Sequence, residues 1–279
     1  MTKEDGKTND ELLEIAKKVR INIVNSVHVA KCGHPGGSLS AVELLIALYF
    51  KTLRIDSQNP RWEDRDRFIL SKGHASIGLY AVLAERGYFP VEELKTFDTI
   101  DSRMQAHPDM NMTPGIDMST GSLGQGLSAG IGIALGAKML KKEFLTYVML
   151  GDGEIQEGQI WEAAFVAARY GLDNLIGILD NNRVQLYGWQ HPEPQCPMDD
   201  PAAKFKSFGW HVIEVDGHDF EAIMAGFNEA QAVKGMPSMI IANTIKGKGV
   251  SFMEGRYEWH AQAPNDDQCT CALEELENC

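Results

Sequence analysis

The chain has 279 residues, a mass of 30.9 kDa and 44% hydrophobic residues, enough to bury one large core. Its formal charge of −13 and pI near 5.1 exclude a nucleic-acid surface, because binding a polyanion requires a basic field. Residues 1–10 are polar with no apolar signal region, and the apolar run 41–50 is broken by Glu43 and too short to span a bilayer, so a cytoplasmic protein without a membrane partner is expected.

After a flexible amino terminus (1–10), apolar residues at Leu12, Leu13, Ile15, Ala16, Val19, Ile23 and Val24 predict an amphipathic helix over 11–30. A Gly-rich turn follows at Cys32-Gly33-His34-Pro35-Gly36-Gly37, and Ser38 or Ser40 can cap the next helix, which runs through Tyr49. Residues 67–70 read as a short strand with Ser71-Lys72-Gly73-His74 as its exit turn, 75–86 as a helix and 92–97 as a further short one. Thr120-Gly121-Ser122-Leu123-Gly124-Gln125-Gly126 opens a long helix that reaches Leu140. Strands at 146–150 and 175–179 enclose a crossover helix at 155–170. The loop beyond carries Pro192, Pro194, Pro197 and Pro201; its length suits a functional or mobile segment, and it is assigned no role. Strands at 212–215 and 238–243 flank a helix that Asp219 can cap. Residues 11–260 read as one domain and 261–279 as a carboxyl-terminal tail. Strands alternating with helices imply an α/β fold, a doubly wound and mainly parallel sheet with helices on both faces.

The cysteines, at Cys32, Cys196, Cys269, Cys271 and Cys279, show no paired CxxC spacing, so free thiols are expected rather than disulfides or zinc; Cys269-Thr270-Cys271 could alternatively bind a soft metal. Gly151-Asp152-Gly153 and Asn181-Asn182 each follow an apolar run, at the strand edge where open α/β sheets bind ligands. Asp152 and Asn182 lie 30 positions apart, the length of one strand-helix-strand unit, which can return the second motif beside the first. One carboxylate and one amide oxygen, with no Cys or His among them, suit Mg²⁺ or Ca²⁺ rather than zinc.

This spaced pattern resembles the thiamine diphosphate signature, in which a divalent metal clamps the cofactor diphosphate to the protein. The resemblance makes Asp152 and Asn182 side-chain metal ligands and gives Val184 a main-chain carbonyl ligand, with Mg²⁺ as the metal and Ca²⁺ or Mn²⁺ able to substitute. A metal there also compensates the diphosphate charge in an acidic protein. Gly153 would let the backbone approach a phosphate, and Glu154 and Asn182 count with it among the cofactor-binding residues.

Four histidines stand in turns: His34 in GHPGG, His74 in SKGH, His107 in QAHP and His260 in EWHAQAP. Together with RFILSKGHA (67–75), STGSLGQGLS (119–128), GDGEIQEGQIWEA (151–163), LDNNR (179–183) and IKGKG (245–249), they make the chain resemble the amino-terminal half of a transketolase, from the first helix to His260. The resemblance implies that His34, His74, His107 and His260 are catalytic, lining the channel above the thiazolium and contacting substrate hydroxyls or the diphosphate, with His34 and His260 favoured for proton transfer. His74 and Lys246 would also meet the cofactor. Gly121, Ser122 and Leu123 would approach it from a helix end that favours anions, although tight helix packing explains the same glycines. Glu157 would lie near a subunit contact, or simply cap the crossover helix.

The implied activity is transfer of a two-carbon ketol unit from a ketose donor, with or without a phosphate, to an aldose acceptor. The implied partner is a separate subunit carrying the pyrimidine-binding and carboxyl-terminal domains, including the glutamate that activates the aminopyrimidine, in an α₂β₂ assembly. Alternatives are the α subunit of a 2-oxo acid dehydrogenase first component, a transketolase for an unusual ketose such as a sulfo-sugar or branched sugar, and a catalytically silent cofactor-binding subunit. Two stretches depart from the pattern: Ala261 follows His260 where glycine is usual, and 192–201 is Pro-rich.

Overall fold

The computed structural model describes residues 7–186 and 200–278, so Pro192, Pro194, Pro197 and Cys196 lie outside the described residues. Helix α1 (Asn9–Ala30) starts two residues earlier than the apolar spacing alone suggests, because Thr8 and Glu11 form a reciprocal capping box. The expected helix through Tyr49 is divided into α2 (Pro35–Ser40), α3 (Val42–Ala47) and a π-helical turn (Leu48–Thr52). Pro35 opens α2 at its first turn. Neither serine caps a helix: Ser38 Oγ donates back to His34 O at 2.8 Å, and Ser40 Oγ donates to the Asp180 carboxylate at 2.6 Å.

Strand β1 (Arg67–Leu70) leads into helix α4 (Ser76–Glu85), and the expected helix at 92–97 is the 3₁₀ turn Val91–Thr96. Helix α5 (Gln125–Met139) precedes β2 (Thr146–Gly151). The crossover is a 3₁₀ turn (Glu154–Gln156) followed by α6 (Gly158–Arg169), and it delivers the chain to β3 (Leu175–Asn181). Helix α7 (Pro201–Ser207), which local spacing does not announce, leads to β4 (His211–Asp216). Helix α8 (Phe220–Ala232) follows, capped by Asp219 as expected, and then β5 (Ser238–Asn243).

The stretch read as a tail contains helix α9 (Asp266–Glu277), capped by Asn265 and Gln268, with Cys269, Ala272 and Leu276 buried in the same core as α1. Cys271 on that helix is exposed, so the two thiols face different surroundings. No helix among the described residues is long and apolar enough to cross a membrane.

Among the described residues all four strand pairings are parallel, in the order β1-β2-β3-β5-β4. Alternate strand residues face opposite layers. Phe68, Tyr147, Met149, Ile176, Ile178 and Ile240 pack with α1, α3, α4 and α8. Ile69, Val148, Leu150, Leu175, Leu179 and Ile241 pack with α5, α6 and Phe205 of α7. Helices therefore cover both faces, and the polar exits of the strands are left at one edge. Gly151 is in register with Asp180, so Asp152 and Asn182 leave neighbouring strands at nearly the same level.

Candidate active site

The turn before α2 brings His34 to the carboxyl edge of the sheet, and the exit of β1 brings Lys72 and His74. The exits of β2 and β3 supply Asp152, Gly153, Glu154, Asn182 and Val184. The turn after β5 supplies Lys246, and the 3₁₀ turn Tyr257–His260 supplies His260. With Leu123 these residues line one cavity of about 350 Å³, the size of a small-molecule site.

At the floor, Asp152 Oδ1 accepts the Gly153 N–H at 2.8 Å. Its Oδ2 is buried without a hydrogen-bond partner among the described residues, a costly arrangement for an anionic oxygen. Burial, reinforced by the nearby Asp180 carboxylate, pushes Asp152 up to about 6 against the pull of Lys246 and Lys72. Asn182 Oδ1 accepts the Val184 N–H at 3.2 Å, and the Val184 carbonyl accepts Lys246 Nζ at 3.0 Å. One carboxylate, one amide oxygen and one main-chain carbonyl thus border the same cavity. These hard oxygens and the orphaned Oδ2 fit a divalent cation.

The imidazoles form a wall above this floor. The His34 ring lies 4.8 Å from His74, 5.5 Å from His260 and 5.9 Å from His107, and His74 lies 5.0 Å from His107. Burial, followed by the neighbouring His74 and His107, lowers His34 to about 4. Burial and the Lys246 charge lower His260 to about 3, and burial with His107 lowers His74. These three rings are therefore neutral at pH 7. Lys246 is itself lowered to about 8, by burial and the Lys72 charge. Its Nζ lies 3.1 Å from His260 Nδ1. An ammonium can only donate, so Nδ1 accepts and the His260 proton sits on Nε2.

Two predicted binding positions are built differently from the sequence expectation. The Glu154 carboxylate accepts from Ser71 Oγ, from Gly124 N–H at 2.8 Å and from Gly151 N–H at 3.1 Å, so its side chain braces the site. The first turn of α5 is likewise occupied, since Gly126 N–H donates to Ser71 Oγ at 3.2 Å. Of the three loop residues before the helix only Leu123 lines the cavity; Gly121 lies behind it and Ser122 is exposed. At Gly121 a Cβ would stand 2.7 Å from the His107 ring, so glycine there lets the loop seat that histidine. Glu157 occupies the N-cap position of α6 but accepts no capping bond among the described residues.

Sequence spacing missed a buried ion pair beneath the floor. Lys72 Nζ donates to Asp180 and, at 2.9 Å, to the Gly37 carbonyl. Asp180 also accepts from Ser40 and Thr244, and these contacts hold it below its usual range in spite of burial. The one local signal was an acidic residue directly before the paired asparagines.

Residues 12–276 match the family model described as transketolase, thiamine diphosphate binding domain. The chain is 48% identical over 246 residues to the 6-deoxy-6-sulfo-D-fructose transketolase subunit SqwG of Clostridium sp. (strain MSTE9), covering 88% of each chain. It is 43% identical to an apulose-4-phosphate transketolase subunit from Actinobacillus succinogenes, with 96% of this chain and 97% of that protein covered. Human transketolase is 42% identical over 93% of this chain, which spans 41% of that longer protein. The fold superposes on transketolase from Pichia stipitis in complex with sedoheptulose 7-phosphate with a TM-score of 0.90 at 33% identity, over 95% of this chain and 40% of the other.

Proposed function

The chain belongs to the transketolase family, and from that premise we propose that it is the thiamine diphosphate-binding subunit of a two-subunit transketolase, moving a two-carbon ketol unit from a ketose, phosphorylated or not, to an aldose. The observation that carries the reading is the buried, unpartnered Asp152 oxygen set below a wall of imidazoles at the sheet edge. Relatives of matching length carry the word subunit in their names, which supports a partner polypeptide. We assign that partner the pyrimidine-binding and carboxyl-terminal domains, in an α₂β₂ assembly. The cytoplasm is the proposed location, since free thiols without paired spacing suit a reducing compartment. The diphosphate-binding unit takes in residues 11–260 and, on this reading, α9 as well.

Asp152, Asn182 and the Val184 carbonyl would hold Mg²⁺, or Ca²⁺ or Mn²⁺ in its place. Gly153, Gly121, Ser122, Leu123, His74 and Lys246 would surround the cofactor, with Glu154 acting through the main-chain groups it fixes. Thiamine diphosphate, when bound, supplies the electron sink for carbon–carbon bond cleavage. His34 is neutral at pH 7 and can take a proton from a substrate hydroxyl; His260, protonated at Nε2, can donate a hydrogen bond. His74 and His107 orient the substrate.

Identity to relatives named for a sulfo-sugar and for apulose 4-phosphate favours a specialised ketose as donor. The assembled protein should therefore be assayed on xylulose 5-phosphate, apulose 4-phosphate, 6-deoxy-6-sulfofructose and pyruvate. Ketol transfer from any of the three sugars supports the assignment; decarboxylation of pyruvate with no sugar turnover would replace it with the 2-oxo acid dehydrogenase reading.

A further inference from the structure

We infer that Arg20, Glu43 and His218 are positioning residues that hold the Lys246 turn from behind the cavity, through hydrogen bonds to the main chain on either side of the lysine. None of the three lines the cavity. Arg20 comes from α1, Glu43 from α3, and His218 from the turn between β4 and α8.

Arg20 Nη2 lies 2.7 Å from Glu43 Oε1 and 2.9 Å from Oε2, with side chains only 8% and 6% exposed. Glu43 Oε2 also pairs with His218 Nδ1 at 3.0 Å. On the other side of the ring, His218 Nε2 accepts the Ile245 N–H at 2.9 Å. A main-chain N–H can only donate, so Nε2 must carry its lone pair and the ring proton must sit on Nδ1, where it meets the Glu43 carboxylate. Arg20 completes the frame by donating Nε–H to the Lys248 carbonyl at 3.0 Å. The turn is thus gripped one residue before Lys246 and two residues after it.

The turn is held from α2 as well, where Gly247 N–H donates to the Gly36 carbonyl at 2.9 Å. With the turn held on these sides, Lys246 Nζ reaches the Val184 carbonyl and His260 Nδ1. The frame therefore extends from a buried ion pair in the helical layer to the tautomer of His260. A buried ion pair contributes little net stability, because desolvation of both charges offsets their attraction. Here its directional bonds do something an apolar pair could not, which is to dictate the ring tautomer and the height of the turn. That Lys246 faces a cofactor rests on the function proposed above; the frame itself does not.

The test compares His218→Asn with His218→Gln in the assembled two-subunit protein. Asparagine keeps a donor at the Nδ1 position for Glu43 and loses the acceptor for Ile245. Glutamine restores an acceptor at the Nε2 position. The readouts are hydrogen exchange of the 244–250 segment and thiamine diphosphate affinity by calorimetry with Mg²⁺, with the melting temperature as a control for folding. We expect His218→Asn to lose exchange protection at Ile245 and to bind the cofactor on the order of tenfold more weakly, and His218→Gln, which regains the acceptor for Ile245 but lacks the donor to Glu43, to recover part of both. Wild-type protection and affinity in His218→Asn would overturn the inference, as would a His218→Gln variant impaired to the same degree. If the wild-type protein itself fails to bind thiamine diphosphate, the functional reading falls, and exchange at Ile245 alone still decides whether His218 holds the turn.

Discussion

At Asp152 affinity and stability pull in opposite directions. The orphaned Oδ2 is unfavourable without a cation and becomes an asset only when one meets it. Asp152→Ala should therefore lower thiamine diphosphate affinity by on the order of 100-fold or more in the presence of Mg²⁺, while leaving the melting temperature of the cofactor-free protein unchanged or raised. Calorimetry on the assembled protein and a thermal melt measure the two effects separately; unchanged affinity would remove Asp152 from the metal site. His34 gives a pH prediction with a definite sign. Its ordinary value of 6.5 is lowered to about 4 by folding, so the unfolded chain binds the extra proton between those limits. The stability that depends on a neutral His34 is complete above pH 6.5 and is lost as the pH falls toward 4. Urea unfolding of the cofactor-free protein at pH 7.5 and pH 5 should show a smaller loss of stability in His34→Gln than in wild type. Asp152 and Asn182 were legible because each follows its own strand. Lys72 and Asp180 were not, because they are 108 positions apart and only the finished sheet makes them partners. The same holds for Arg20, Glu43 and His218.

Among the elements, strands were read closely and helix starts less so, for a physical reason. A buried parallel strand reads as a near-continuous apolar run bounded by turn residues, and each of the five stretches read as a strand became one in the sheet. Helix starts depend on what a serine or proline bonds to. Ser38 and Ser40 look like caps in sequence, yet tertiary acceptors claim their hydroxyls. Helix α5 supplies a test with opposite signs at two glycines. A Cβ on Gly130 would stand 2.4 Å from Val148 Cγ2, whereas one on Gly132 would meet nothing within 4 Å. Gly130→Ala should destabilise the fold by about 1–3 kcal/mol through overpacking against β2. Gly132→Ala should stabilise it by about 0.5–1 kcal/mol by removing a helical glycine. Denaturant titration of the two variants checks both signs, and a stable Gly130→Ala would mean that α5 can move away from the sheet.

For the whole molecule the decisive question is which group could hydrogen-bond the aminopyrimidine of the cofactor. The transketolase resemblance requires a glutamate for this. Among the described residues lining the cavity the carboxylates are Asp152, at the metal end, and Glu154, whose oxygens are held by Ser71, Gly124 and Gly151. Neither is free for the task, so the group has to come from outside this set. Two apolar side chains are also exposed, Leu186 at 45% beside the cavity and Ile245 at 38% next to Lys246. Apolar residues at the mouth of a site suit a face that another chain covers. On the proposed function, the purified polypeptide alone should show no ketol transfer and should bind thiamine diphosphate weakly. Mixing it with a separate polypeptide carrying the pyrimidine-binding and carboxyl-terminal domains should restore turnover. A coupled assay on the sugar panel, run with each polypeptide alone and with both together, separates the cases. Ketol transfer by this chain alone, once mass spectrometry has excluded a co-purifying partner, would mean that the missing carboxylate lies within its own residues and that no second polypeptide is needed.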